Sequence, residues 1–99
     1  MAASDPAHGS LWTDAEFLSA IATYGRMLRA EARGIPLQKS DVIGQLVTDL
    51  GRTKSSIDYR MRNISAVLDE LGRDWIDGYK PMRNYPRRLR ELIEREGSL

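Results

Sequence analysis

The sequence predicts an all-α fold, with a three-helix core of the helix-turn-helix type followed by a short loop or miniature hairpin and a C-terminal helix. Three observations favour it. Apolar residues recur at helical spacing in three segments, glycine and proline separate those segments, and only residues 51–53 lie between the second segment and the third. We expect residues 1–10 to form a flexible tail and residues 11–97 to form one helical domain.

The first predicted helix begins after Thr13, which can cap the first amides while Glu16 reaches back to the amide of Thr13. Trp12 precedes the cap and Phe17 occupies the fourth helical position, so the two should form a hydrophobic staple. One face of the helix carries apolar residues at spacings of four, three and four: Phe17, Ile21, Tyr24 and Leu28. Gly34, which is followed by Pro36, should end the helix.

The second helix is expected to begin near Ser40 and Asp41, which are a cap residue and an acid suited to a first turn. Its predicted core face consists of Val42, Leu46, Val47 and Leu50. Gly51 should end it, and Thr53 should cap the next helix. The connection of three residues, one of them glycine, is typical of a helix-turn-helix.

The third predicted helix, residues 54–71, has two different faces. A buried stripe falls within about 80° of arc and consists of Ile57, Met61, Ile64, Leu68 and Leu71. The opposite side should face solvent and consists of Ser55, Tyr59, Arg62 and Ala66, with Arg60 and Asn63 on its flank. Such a polar, basic face is small enough to enter a DNA groove.

Two structures are open for the segment after Gly72. The pair Asp77-Gly78 favours a hairpin turn, which would make a miniature wing. Pro81 limits any strand there, so the alternative is an ordered loop with Trp75 and Tyr79 packed into the core. A last helix should begin at residues 84–86, dock through Leu89, Leu92 and Ile93, and turn its arginines outward.

Charge is unevenly distributed along a chain whose net charge is only +1. The balance is −2 over residues 1–50 and +3 over residues 51–99, and residues 80–90 contain five basic side chains and no acid. Local basic patches of this kind favour contact with phosphate.

The residue inventory argues against catalysis. The chain has no cysteine, which excludes disulfides, thiolate metal sites and a cysteine nucleophile. His8 is the only histidine, and it lies in the predicted tail. We therefore expect no catalytic residue, metal or cofactor, and no enzyme activity from this chain by itself. No apolar run is long enough to span a bilayer and no signal peptide is recognisable, so a cytoplasmic location is expected.

Residues 12–85 carry several short motifs that together resemble a known family. They are Trp12, the turn 51–53, Ser56-Ile57, the run Asn63-Ile64-Ser65-Ala66-Val67-Leu68, Leu71-Gly72, residues 78–81 and Asn84-Tyr85. The segment resembles the helical N-terminal domain found ahead of HNH nuclease modules in bacterial endonuclease-like proteins. Its start and its Gly-Arg-Thr turn are also similar, more loosely, to Myb or SANT repeats.

The resemblance implies that the chain engages target DNA on behalf of a nuclease, in a restriction-like system. The HNH centre itself needs several histidines, which this chain lacks. The resemblance therefore implies a stand-alone relative or an excised N-terminal domain, with a nuclease domain or subunit as its partner.

Two functions remain open on this basis. In the first, the domain is a non-catalytic module, a monomer or weak homodimer, which binds double-stranded DNA in the cytoplasm and is nucleoid-associated when bound. Its third helix reads the major groove and the C-terminal segment grips phosphates. The predicted contact residues are Arg52, Lys54, Ser55, Tyr59, Arg60, Arg62, Asn63, Lys80, Arg83, Arg87 and Arg88. In the second, the domain is a protein-interaction adaptor that uses Tyr59, Arg60 and Arg62 on a partner protein.

Overall fold

The computed structural model describes residues 11–96 and Leu99, and within them the chain forms four α-helices and no strand. These are α1 (Asp14–Ala32), α2 (Lys39–Leu50), α3 (Lys54–Glu70) and α4 (Arg87–Glu96). Helix α1 packs against the other three, and α3 also contacts α2 and α4. The predicted all-α class is therefore confirmed. The predicted flexible tail, which contains His8, lies outside the described residues.

The N-terminus of α1 has the capping box that the sequence predicts. The Thr13 hydroxyl accepts a hydrogen bond from the Glu16 amide at 3.1 Å, and Glu16 accepts one from the Thr13 amide at 3.0 Å. The Trp12 and Phe17 rings stack with centroids 5.7 Å apart, which is the predicted staple. These contacts set the direction in which the chain enters the helix, so Trp12 lies against α1.

Helix α2 begins earlier than predicted. Its N-cap is Gln38, which makes no side-chain capping bond, and Ser40 lies inside the first turn. The carbonyl of Gln38 accepts hydrogen bonds from the amides of Asp41 and Val42, so the helix closes before the expected cap residue. The C-terminal end agrees with the prediction, since Gly51 takes a left-handed conformation with φ of 64°. Thr53 then caps α3 by accepting a bond from the Ser56 amide.

Helix α3 is the centre of the core. The predicted stripe is buried completely at Ile57, Met61, Ile64 and Leu68, whereas Leu71 lies just beyond the helix and is half-buried. Around the stripe pack apolar residues of the other elements, among them Phe17, Ile21 and Tyr24 of α1, Ile43 and Leu46 of α2, Ile76 of the following loop, and Leu89, Leu92 and Ile93 of α4.

The segment between α3 and α4 is an ordered loop and not a hairpin. Its turn is closed by a bond from the Tyr79 amide to the Ile76 carbonyl at 3.1 Å, with Gly78 at φ of 100°. Ile76 is fully buried, and its amide donates to the Tyr24 hydroxyl at 2.9 Å. Of the two alternatives open for this segment, the loop with its aromatic residues against the core is the observed one.

Helix α4 docks as predicted through Leu89, Leu92 and Ile93, all of which are buried. No helix in the described residues combines the length and apolar character that crossing a bilayer requires.

Candidate nucleic-acid interface

Most of the C-terminal half of α3 is enclosed, and only Asp69 and Glu70 at its end are exposed. Residues 63–68 are all buried, including Ala66, which the helical projection places on the outward face, and Asn63, which it places on the flank of that face. The outward face is covered by residues 80–82, which we call the strap. Three hydrogen bonds hold the strap: Met82 N to Arg62 O at 3.1 Å, Arg62 Nε to Lys80 O at 3.0 Å and Asn63 Nδ2 to Met82 O at 2.7 Å. The expectation of an open face along the whole helix is therefore corrected, and Asn63 is an internal strap anchor instead of a DNA contact.

Arg52 is also internal, although it lies in the turn between α2 and α3. Its side chain is 3% exposed, and its Nε and Nη2 atoms each donate to a Glu16 oxygen at 2.9 Å. Nη2 also donates to the carbonyl of Leu11, and the guanidinium lies 4.7 Å from the Trp12 ring centroid. The predicted DNA contact at Arg52 is corrected to a structural role, because its charge is balanced by Glu16 and fastens the turn to the start of α1.

Arg60 lies half-buried on the same side as Trp12. Its guanidinium carbon is 4.6 Å from the Trp12 centroid and 5.3 Å from that of Phe17, and its Nη1 donates to Asn63 Oδ1 at 2.9 Å. Burial lowers the pKa of Arg60, and the nearby charge of Arg52 adds to that effect. Among the described residues no carboxylate pairs with Arg60, so the positive charge of this flank is not neutralised.

The arginines of the C-terminal segment are mostly paired with acids. Arg83 contacts Asp69 at 2.6 Å and Glu70 at 3.2 Å, and Arg88 contacts Asp14 at 2.7 Å and Glu91 at 3.1 Å. These pairs reduce the positive charge that Arg83 and Arg88 can offer to phosphate. Lys80 and Arg87, in contrast, are exposed and have no carboxylate partner among the described residues.

The same pairs predict how stability responds to acid. Hydrogen bonds from Arg88, Arg52 and Arg83, and from Tyr85, lower the pKa values of four carboxyl groups: Asp14, Glu16, Asp69 and Glu70. Since the folded pKa lies below the unfolded one, the stabilisation is complete above the ordinary glutamate value of 4.5 and is lost as the pH falls through the folded values. We expect a melting temperature that is nearly constant above about pH 5.5 and falls steadily below about pH 4.5. Circular dichroism melts across this range test it, and a melting temperature that rises below pH 4.5 would contradict it.

The N-terminal half of α3 remains open to solvent. Lys54 is 71% exposed and forms an ion pair with Asp58 one turn later at 2.8 Å. Ser55 is exposed, and Tyr59 is half-buried on the same outward side. Lys54, Ser55 and Tyr59 are therefore the predicted DNA contacts that lie on the part of α3 not covered by the strap.

Beside this half of α3 lies a surface cleft that no sequence pattern indicates. Two adjoining cavities of about 270 Å³ and 230 Å³ share Asp58 and Tyr79 in their walls. We call them together the basic cleft. It is lined by Lys39, Ser40 and Ile43 from α2, Lys54, Asp58 and Arg62 from α3, and residues 78–80 of the loop. Among these lining residues four are cationic and one, Asp58, is acidic.

Two cations of the basic cleft are held by backbone carbonyls. Lys39 Nζ donates to Asp77 O at 3.0 Å and lies 5.3 Å from the Tyr79 ring centroid. Arg62 Nε donates to Lys80 O in the strap. A carbonyl oxygen carries no formal charge, so both side chains are positioned without being neutralised. Sequence reasoning missed Lys39, since its nearness to the loop arises only when residues 76–79 pack on α1.

The described residues contain no group of three or more histidine, cysteine or acidic side chains arranged to hold a metal ion. No protein-family model, characterised protein or solved structure matches the chain. The resemblance to the HNH-associated domain therefore stays a prediction.

Proposed function

We propose that the chain is a double-stranded DNA-binding module in which α2, the turn 51–53 and α3 act as a helix-turn-helix. The observation that carries the proposal is the open N-terminal half of α3, which presents Lys54, Ser55 and Tyr59 next to the basic cleft. In helix-turn-helix proteins the N-terminal residues of the recognition helix contact the base edges. This is the part of α3 that the strap leaves uncovered.

The remaining predicted DNA contacts differ in whether they are exposed and whether an acid pairs with them. Arg60 and Arg62 carry charge on the two flanks of the open face without a carboxylate partner among the described residues, and Lys80 extends the positive surface into the strap. Arg87 is an exposed candidate for a phosphate contact, whereas Arg83 and Arg88 would first have to leave their acidic partners. Arg52 and Asn63 support the interface from within.

The sequence resemblance supplies the wider setting of the proposal. In that setting the module targets a nuclease domain or subunit of a restriction-like system to DNA, works in the cytoplasm and associates with the nucleoid when bound. It does so as a monomer or a weak dimer and performs no catalysis itself.

Binding of the whole chain to a labelled duplex, followed by fluorescence anisotropy, tests the proposal. Three phosphate contacts would lower the affinity roughly 40-fold between 50 and 200 mM salt. Binding that ignores salt, or no binding to any duplex, would contradict it.

A charge introduced on the open face gives a sharper test. Ser55→Glu is expected to weaken duplex binding by about tenfold or more, because it sets a carboxylate against the phosphates. The fold should be preserved, since Ser55 lies in the first turn of α3, where the helix dipole favours negative charge. Anisotropy titrations give the affinity, and circular dichroism confirms the fold.

Ala22→Glu is the matched control, because it adds the same charge at an exposed position of α1. Its affinity should stay within about twofold of the parent chain. Equal losses in the two variants would mean that only net charge matters and that α3 is not the contact surface.

A protein-interaction adaptor is the second candidate. The pairing of Arg83, Arg88 and Arg90 with acids favours it, because it lowers the charge available to a polyanion. Retention of the chain on heparin or DNA supports the first function, whereas capture of one stoichiometric protein through Tyr59, Arg60 and Arg62 supports the second.

A further inference from the structure

Two cations of the basic cleft, Lys39 and Arg62, are held differently from the arginines that pair with acids elsewhere in the described residues. Arg52, Arg83, Arg88 and Arg90 are all fixed by carboxylates. Lys39 and Arg62 are fixed by the carbonyls of Asp77 and Lys80 instead. A lysine ammonium has three donors and an arginine guanidinium has five. Each bond to a carbonyl uses one of them, so both side chains retain donors for a ligand.

The end of α2 adds to the positive character of the basic cleft. Lys39 and Ser40 are the first residues of the helix, and Gln38 places no side-chain acceptor on the first amides. The N-terminus of a helix carries partial positive charge and favours an anion. Ser40 also lines the wall of the cleft, so this end of the helix and the four cations border one space.

Asp58 is the acidic residue of the basic cleft, and it lies where the two cavities meet. It pairs with Lys54, whose side chain is otherwise largely exposed. An anion entering the cleft would compete with Asp58 for Lys54 and would be repelled by its carboxylate. Asp58 therefore opposes anion binding, whereas Lys80, which is exposed and has no acidic partner, favours it.

We propose that the basic cleft binds one phosphodiester group of the duplex, with Lys39 and Arg62, which backbone carbonyls hold in place, and the exposed Lys54 and Lys80 as its contacts. The inference rests on the proposed DNA-binding function and specifies which part of the duplex meets which part of the chain. A phosphate contact carries no sequence information, so its loss weakens binding to all duplexes equally.

The test compares two substitutions of opposite expected sign. Lys80→Gln should weaken binding by about threefold to tenfold, equally for two unrelated duplexes, and should reduce the slope of log affinity against log salt by about one. Asp58→Asn should strengthen binding by about threefold to tenfold because the repulsion is removed. Arg62 bonds to the backbone of residue 80, so the strap anchor survives the first substitution.

Arg73→Gln is the matched control, because it removes one exposed positive charge just beyond the C-terminal end of α3. Its salt slope and affinity should remain those of the parent chain, within about twofold. If Lys80→Gln and Asp58→Asn behave like Arg73→Gln while the parent chain binds DNA, the phosphate site is wrong and the DNA-binding function stands. If the parent chain binds no duplex, both proposals are overturned.

Discussion

Glu16→Gln is expected to destabilise the fold by about 2 to 3 kcal/mol, at or just below the lower end of the range for breaking a buried ion pair. The reason is that Glu16 is the carboxylate facing Arg52, whose side chain is 3% exposed while that of Glu16 is 20% exposed. The glutamine oxygen can still accept from the Thr13 amide, so the capping box survives, whereas the negative charge and the second oxygen that accepts from Arg52 are lost. Thermal unfolding should show a melting temperature lower by roughly 8–24 °C.

Glu91→Gln is the control for this effect. It removes the same charge from a pair with Arg88 in which both side chains are largely exposed, at 38% and 46%. Surface pairs contribute under about 1 kcal/mol, so this variant should unfold within a few degrees of the parent chain. Equal losses in the two variants would show that the charge of Glu16 does not hold the turn 51–53 in place.

Tyr24→Phe is expected to destabilise the fold by about 2 kcal/mol. The Tyr24 hydroxyl accepts from the Ile76 amide at 2.9 Å and lies 2.7 Å from Ser65 Oγ, and all three residues are fully buried. Removing the hydroxyl leaves a buried amide and a buried hydroxyl without this partner. Chemical denaturation measures the loss of stability. Because Ile76 anchors the loop that carries the strap, the variant should also show faster amide hydrogen exchange in residues 76–82 under native conditions.

Tyr79→Phe makes the same chemical change in the neighbouring aromatic residue. Burial raises the pKa of Tyr79, but no hydrogen bond of its hydroxyl joins it to the described residues. Its stability should remain within about 0.5 kcal/mol of the parent chain. A loss of similar size in both variants would mean that ring packing, and not the hydrogen-bonded junction, fixes the loop.

Much of the fold could be predicted because its signals are local. Thr13, Glu16, Gly51 and Thr53 mark helix ends through bonds made within a few residues, and those ends are where the sequence puts them. The start of α2 is harder to predict, because Gln38 makes no capping hydrogen bond through its side chain and the more obvious cap residue, Ser40, lies inside the helix. The spacing of apolar residues similarly identified the buried stripe of α3.

The surroundings of the charged residues could not be predicted in the same way. A helical projection of α3 shows which side opposes the stripe, but not that a loop some 20 residues later crosses that side and bonds to Asn63. Pairs such as Arg52 with Glu16 and Arg88 with Asp14 join residues 36 and 74 positions apart. Net charge and sequence spacing do not reveal such distant partners. For this reason several basic residues that the sequence predicts to contact DNA are instead paired with acids in the structure.

Under the proposed DNA-binding function, the strap also limits how much of a duplex α3 could read. The part of α3 before the strap, residues 54–61, extends about 12 Å along the helix axis, a length comparable to roughly four base pairs of B-form DNA. A given four-base-pair sequence occurs by chance roughly every 250 base pairs, which is far too often to specify one site in a genome. The proposed function therefore predicts that a recognition sequence of useful length combines several such contacts, either from two chains on neighbouring half-sites or from this chain together with the proposed nuclease partner.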